Sequence, residues 1–94
     1  MEIRYNRDED TGLPHIYGHG VSEAEVEQVL SHPLETRRAG RDSRAVIGQT
    51  DAGRYLRVIV VPDPAGDGVF VVTAYDLTGK PLAALRRRQR RRGR

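Results

Sequence analysis

Ile3 and Tyr5 share one face of an alternating stretch at residues 2–5, the pattern of a short first strand. Residues 6–14 are polar, and Asp8-Glu9-Asp10-Thr11-Gly12 reads as a loop with solvated carboxylates. Pro14 opens a short helical turn through His15 and Tyr17, which Gly18 and Gly20 end. The period then changes. Val26, Val29 and Leu30 fall at i, i+3 and i+4, one stripe of a helix that starts after Ser22. Ser22 and Glu25 have the spacing of a capping box, and Val21 can pack on Val26 as a hydrophobic staple. Pro33 ends this helix, because its ring pushes His32 out of the α region.

The rest of the chain returns to a strand period. Residues 34–38 and 43–50 predict a second and a third strand, parted by a turn at Ala39-Gly40-Arg41-Asp42. Asp51-Ala52-Gly53 is a tight hairpin into a fourth strand at residues 54–61, antiparallel to the third. In that fourth strand Leu56, Val58 and Val60 share one face, and Tyr55, Arg57, Ile59 and Val61 the other. A strand apolar on both faces is a central one. The Pro- and Gly-rich residues 62–68 form a loop before a second buried strand at residues 69–75. Pro81 followed by Leu82-Ala83-Ala84-Leu85 predicts a C-terminal helix, which the arginines continue against their own repulsion. The expectation is an α+β domain with its helices against one face of an antiparallel sheet of about four strands.

Composition narrows the class. Ninety-four residues make one domain with one modest core, here drawn from Val, Leu and Ile. No apolar run reaches the ~20 residues that span a bilayer, and the N-terminus from Met1 to Tyr5 lacks a signal-peptide layout. There is no cysteine, hence no disulfide and no thiolate metal site. These features predict a cytoplasmic protein without a membrane partner. The net charge of +3 is unevenly placed. Seven arginines lie among residues 86–94, whereas residues 1–85 carry nine Lys and Arg against thirteen Asp and Glu, a net of −4. We therefore separate a body, residues 1–85, from an arginine-rich tail, residues 86–94. Any electrostatic case for nucleic acid rests on the tail.

Candidate chemistry gathers at His15-Ile16-Tyr17-Gly18-His19-Gly20, ahead of the capped helix. Metal-free RNA cleavage needs a base for the 2′-hydroxyl proton, a cation for the phosphorane and an acid for the departing 5′-oxygen. His15 and His19 suit the acid and base roles. Arg44, Arg54 and Arg57 suit the cation, since a guanidinium fork matches phosphate oxygens. Tyr17, Tyr55 and Tyr75 can stack a base or donate a proton. Arg86, Arg87, Arg88, Arg90 and Arg91 can contact phosphates. A metal site is given little weight, because no third ligand stands at motif spacing from His15 and His19. The structural alternative is that His19 bonds a carbonyl and fixes the helix start.

Several of these short motifs together resemble the BrnT-type toxins, small ribonucleases of bacterial toxin–antitoxin modules. They are His19-Gly20-Val21-Ser22 opening a helix, Pro33 closing it, Ile47-Gly48-Gln49-Thr50 through Gly53-Arg54, and Val72-Thr73-Ala74 before a basic C-terminal helix. The resemblance runs roughly from Ile3 to Arg88. It implies a RelE-like fold: a curved antiparallel sheet, N-terminal helices on one face and a basic C-terminal helix. It also implies metal-independent endoribonuclease activity without cofactors, on free or ribosome-bound RNA, and a cognate antitoxin partner. Taken with the chemistry above, it assigns the catalytic roles to His15, His19, Arg44, Arg54 and Tyr75. RNA binding falls to Arg57, Tyr17 and the tail arginines. Members usually carry a basic residue before the His-Gly pair and an arginine after the Ser/Thr-Ala of the last strand. This chain has Gly18 and Tyr75 there. Two further classes therefore stand beside the first: an RNA- or ribosome-binding module without catalysis, and a protein-interaction domain whose tail meets an acidic partner.

Overall fold

The computed structural model describes residues 2–93; Met1 and Arg94, the last tail arginine, lie outside the described residues. The chain folds as a small α+β domain: β1 (Ile3–Tyr5), a 3₁₀ helix (His15–His19), α1 (Glu23–Ser31), β2 (Glu35–Arg38), β3 (Arg44–Gln49), β4 (Tyr55–Pro62), β5 (Val69–Asp76) and α2 (Gly79–Arg92). The strands form one sheet in the order β1-β5-β4-β3-β2. β4 is central, as its two apolar faces require.

Four strands, β2 to β5, pair antiparallel in sequence order, as expected. The sheet as a whole is not the four-stranded antiparallel one predicted. β1 adds a fifth strand at the edge, parallel to β5, with Ile3 opposite Val69 and Tyr5 opposite Val71. Alternation marks a strand but not its partner, and this partner lies more than sixty residues away. Gly68 makes the approach possible. It is buried, and a Cβ there would overlap the Glu2 carbonyl, whose oxygen accepts the Val69 N–H at 3.0 Å.

The helices do not share a face. Ile16, Val21, Val26 and Val29 pack with Val46, Leu56, Val58, Val60, Val71 and Ala74, which form the main core on the α1 side. On the other side Ile47, Leu77 and Leu85 form a second, smaller core with Leu34, Tyr55 and Leu82. The alternation Tyr55/Leu56 and Val46/Ile47 sends neighbouring residues to opposite cores. α2 thus covers the face opposite α1, which corrects the single-face arrangement. The boundary expected after Leu85 falls inside α2, which runs on to Arg92.

The capping box at Ser22 is complete. Ser22 Oγ accepts from Glu25 N at 3.1 Å, and Glu25 Oε1 accepts from Ser22 N at 3.0 Å. Val21 and Val26 are both fully buried in the same core, as the staple predicts. α1 lies close over β3 because residue 48 is glycine: a Cβ there would stand 3.0 Å from Val29 Cγ1. The Asp51 N–H donates to Gln28 Oε1 at 3.0 Å and ties α1 to the β3–β4 hairpin. These contacts hold the start of α1, and the 3₁₀ helix before it, against the sheet. Among the described residues no helix is long and apolar enough to cross a membrane.

Candidate functional site

β5 is eight residues long, yet β1 pairs only with Val69–Val71. The far half of the β5 edge is therefore free of a strand partner, and the 3₁₀ helix lies beside it. The loop between sets the geometry. Asn6 N donates to Val71 O at 2.9 Å and Asn6 Nδ2 to Val72 O at 3.2 Å, ending the pairing. The chain turns back through an isolated bridge between Arg7 and Pro14, and His15 N donates to Asn6 O at 2.7 Å. Gly20 closes the 3₁₀ helix with φ 69°, a left-handed conformation that glycine adopts without strain.

Two expected site residues meet a third there. The His15 and His19 rings stand edge to face, 5.2 Å between centroids. The Tyr75 ring, from β5, lies 6.2 Å from His19, again edge to face. His19 is exposed and His15 half-buried, so the group opens to solvent rather than to buried carbonyls. His15 Nδ1 is 2.8 Å from Asp8 Oδ1. A carboxylate only accepts, so His15 Nδ1 is the donor in this contact and Nε2 points away from it. The sequence marks Asp8 only as a solvated loop residue; nothing in a seven-residue spacing across a loop identifies it as the partner of His15.

Arg54 is bonded within the protein. Its Nε and Nη2 donate to Asp76 Oδ1 and Oδ2 at 2.6 and 3.0 Å. Its Nη1 donates to Gly20 O at 2.8 Å and to Glu25 Oε1 and Oε2 at 3.1 and 3.2 Å. Every guanidinium nitrogen is engaged and two carboxylates neutralise one charge. Bonding to Asp76 and Glu25 raises the Arg54 pKa further. The Arg54 guanidinium holds the Asp76 carboxyl below its ordinary value. Glu25 is held low chiefly by the Ser22 N–H, with Arg54 second among the stabilising contacts. Arg54 is a strut: it fastens the end of the 3₁₀ helix to the end of β5 and the start of α1, and so positions His19 and Tyr75.

Arg44 is not brought to this group. It pairs with Val60, which in turn faces Val71, whereas Tyr75 is level with Arg57 and Ile47. That offset is roughly 10 Å along the strands and two strand spacings, about 10 Å, across. Arg57 sits directly opposite Tyr75 and belongs to the α2 face of the sheet. Tyr17 is exposed, but its hydroxyl donates to Glu23 Oε1 at 2.9 Å, toward α1; this bond raises its pKa.

α2 divides the tail arginines into two sets. Arg88 donates to the buried Glu35 through Nε and Nη2, at 2.7 and 2.9 Å. Arg92 Nη1 donates to Leu34 O at 3.3 Å, and its Nη2 lies 3.7 Å from Glu35 Oε2. Arg37 reaches the same carboxylate at 3.3 Å. Arg88 first and then Arg37 keep the Glu35 carboxyl below its ordinary value. Arg86 lies over the Tyr55 ring at 5.4 Å, a cation–π contact. Arg87, Arg90 and Arg91 are exposed. Glu35 has no signal in the sequence beyond being an acidic residue on a short strand. Among the described residues, no group of three or more His, Asp or Glu side chains converges as a metal site.

No curated protein and no solved structure matches the chain. One family model does, over residues 5–76, a span that runs from the end of β1 to the end of β5. That span contains Asp8, His15, His19, Arg54 and Tyr75, and it stops short of α2. The chain belongs to this family, described as a domain of unknown function, DUF4258.

Proposed function

We propose that the chain is a metal-independent endoribonuclease of the toxin type, acting at the open edge of β5. The observation that carries this reading is the array Asp8–His15–His19–Tyr75, with the two imidazoles 5.2 Å apart and facing solvent. In the proposed reaction His15 Nε2 removes the proton from a ribose 2′-hydroxyl. The O2′–P bond forms and the P–O5′ bond breaks. Protonated His19 gives its proton to the departing 5′-oxygen and, while charged, offsets the phosphorane. The products are a 2′,3′-cyclic phosphate and a 5′-hydroxyl. Asp8 orients His15 and steadies its imidazolium. The Tyr75 ring offers a surface for a splayed base. The RelE-like fold and a cognate antitoxin belong to the same proposal and rest on the sequence resemblance; the cytoplasmic location belongs to it too and rests on the composition.

A mixed RNA pool incubated with the full chain in the presence of EDTA tests the reading. Cleavage should leave cyclic phosphate ends and fall about 10²–10⁴-fold on His15→Ala or His19→Ala. A second reading has its own support. Arg54, which bonds the Gly20 carbonyl next to His19, is occupied by Glu25 and Asp76, which favours a module that binds RNA without cutting it. That reading predicts intact RNA and binding that weakens with salt.

A further inference from the structure

Between α2 and the second face of the sheet lies a cavity of about 280 Å³. Arg37, Arg57 and Arg88 line it, and Ile47, Leu77 and Ala84 form its apolar part. Glu35 is the only carboxylate bonded to these guanidiniums, through Arg88 and Arg37, among the described residues. Three cationic groups against one carboxylate leave a charge of +2. Arg57 is the odd member: its Nε is buried and has no hydrogen-bond partner. A buried guanidinium N–H is almost always paired, because its desolvation is otherwise uncompensated. Among the described residues two other buried side-chain atoms lack partners, and neither belongs to a residue that lines the cavity. Thr73 Oγ1 is on β5, next to the strand of Arg57, and Gln89 Nε2 follows Arg88 on α2.

We propose that this cavity binds a phosphate monoester. A monoester dianion carries close to the −2 that the cavity lacks, and its oxygens match guanidinium forks. The volume is at the small end of ligand sites, enough for a phosphate on a compact carbon body that meets Ile47, Leu77 and Ala84. Arg57 Nε donates to a phosphate oxygen. Arg88 and Arg37 are held in place by Glu35 and present their remaining N–H groups. The proposal does not depend on RNA cleavage at the β5 edge.

The test is a titration of the full chain with phenyl phosphate, and separately with inorganic phosphate, at constant ionic strength. The readout is the Arg57 Nε–H resonance in ¹⁵N NMR spectra. A saturable shift is expected, tighter for phenyl phosphate, and Arg57→Met should weaken it by about tenfold or more. His19→Ala should leave it unchanged, which separates this site from the proposed nuclease. An Arg57 resonance that does not move overturns the proposal, and so does equal affinity in Arg57→Met. If the Met variant fails to fold, the wild-type resonance alone decides. Competition with short RNA names the source of the phosphate. A 5′-phosphorylated strand that displaces phenyl phosphate where its 5′-hydroxyl counterpart does not makes the ligand a strand end. If neither displaces it, the ligand is a small monoester. Equal displacement by both strands overturns the monoester assignment.

Discussion

Arg54 joins three elements at one point, and its value to the site lies in what it holds. Its guanidinium fork suits it to phosphate, but an arginine next to a turn gives no sign of what it will face. The structure places two carboxylates, Glu25 and Asp76, on its guanidinium, together with the Gly20 carbonyl. Arg54→Gln removes that strut and sets the two acids near each other without a counter-charge. Stability should fall by about 1 kcal/mol, a modest figure because the side chain is partly exposed. Cleavage should fall through kcat more than KM, because the residue positions His19 and Tyr75 without touching RNA. A larger change in KM would show that Arg54 meets the substrate directly. Asp8 is the residue least legible from sequence. Its role depends on a loop folding back through the Arg7–Pro14 bridge, and no local pattern encodes that.

At the scale of elements, local signals and the antiparallel neighbours they imply read well, and the one parallel pairing did not. The capping box, the Pro33 stop, the hairpin glycine and the alternation of β4 are short-range features, and each fixed its element. The parallel edge strand and the side taken by α2 are long-range outcomes. Leu82 and Leu85 announce an apolar stripe, but either face of the sheet would bury it. β1 matters to the site because its short pairing leaves the β5 edge open beyond Val71. Gly68→Ala tests that pairing, since a Cβ overlaps the Glu2 carbonyl. We expect a destabilisation of about 1–3 kcal/mol and faster hydrogen exchange at the Val69 amide, with little change at the β3–β4 hairpin. Unchanged exchange at Val69 would mean that β1 does not pair there.

At the scale of the molecule, charge is divided between a mildly acidic body and a basic helix, and the division has two readable consequences. Glu25, Glu35 and Asp76 all have carboxyl pKa values below the ordinary range. Folding thus favours their ionised forms. The stability they contribute is complete above the unfolded carboxylate range, about pH 4, and is lost as pH falls through the folded values. Thermal melts should drop on acidification below about pH 4.5, and Glu35→Gln should flatten that drop while lowering stability at neutral pH. An unchanged acid profile in Glu35→Gln would show that the Arg88 contact adds nothing. The second consequence concerns RNA. Cutting the chain after Leu85 would remove Arg88 and Arg92 from Glu35 as well as the exposed arginines, confusing fold with binding. The cleaner variant neutralises Arg87, Arg90 and Arg91 alone. Every phosphate left unneutralised by this change should reduce the slope of log affinity against log salt by about 0.7, with the melting temperature held. A slope that does not change would remove α2 from the RNA interface.

One small cluster carries the proposed chemistry, two imidazoles and a phenol at a strand edge that no other strand covers. RNA cleavage in EDTA, measured across a pH series for the wild type and for folded His15→Ala and His19→Ala, tests it most directly. We predict a bell-shaped profile, because one ring must be neutral and the other protonated, and a drop of about 10²–10⁴-fold in each variant. Intact RNA at every pH, or cleavage that both variants retain, would contradict it.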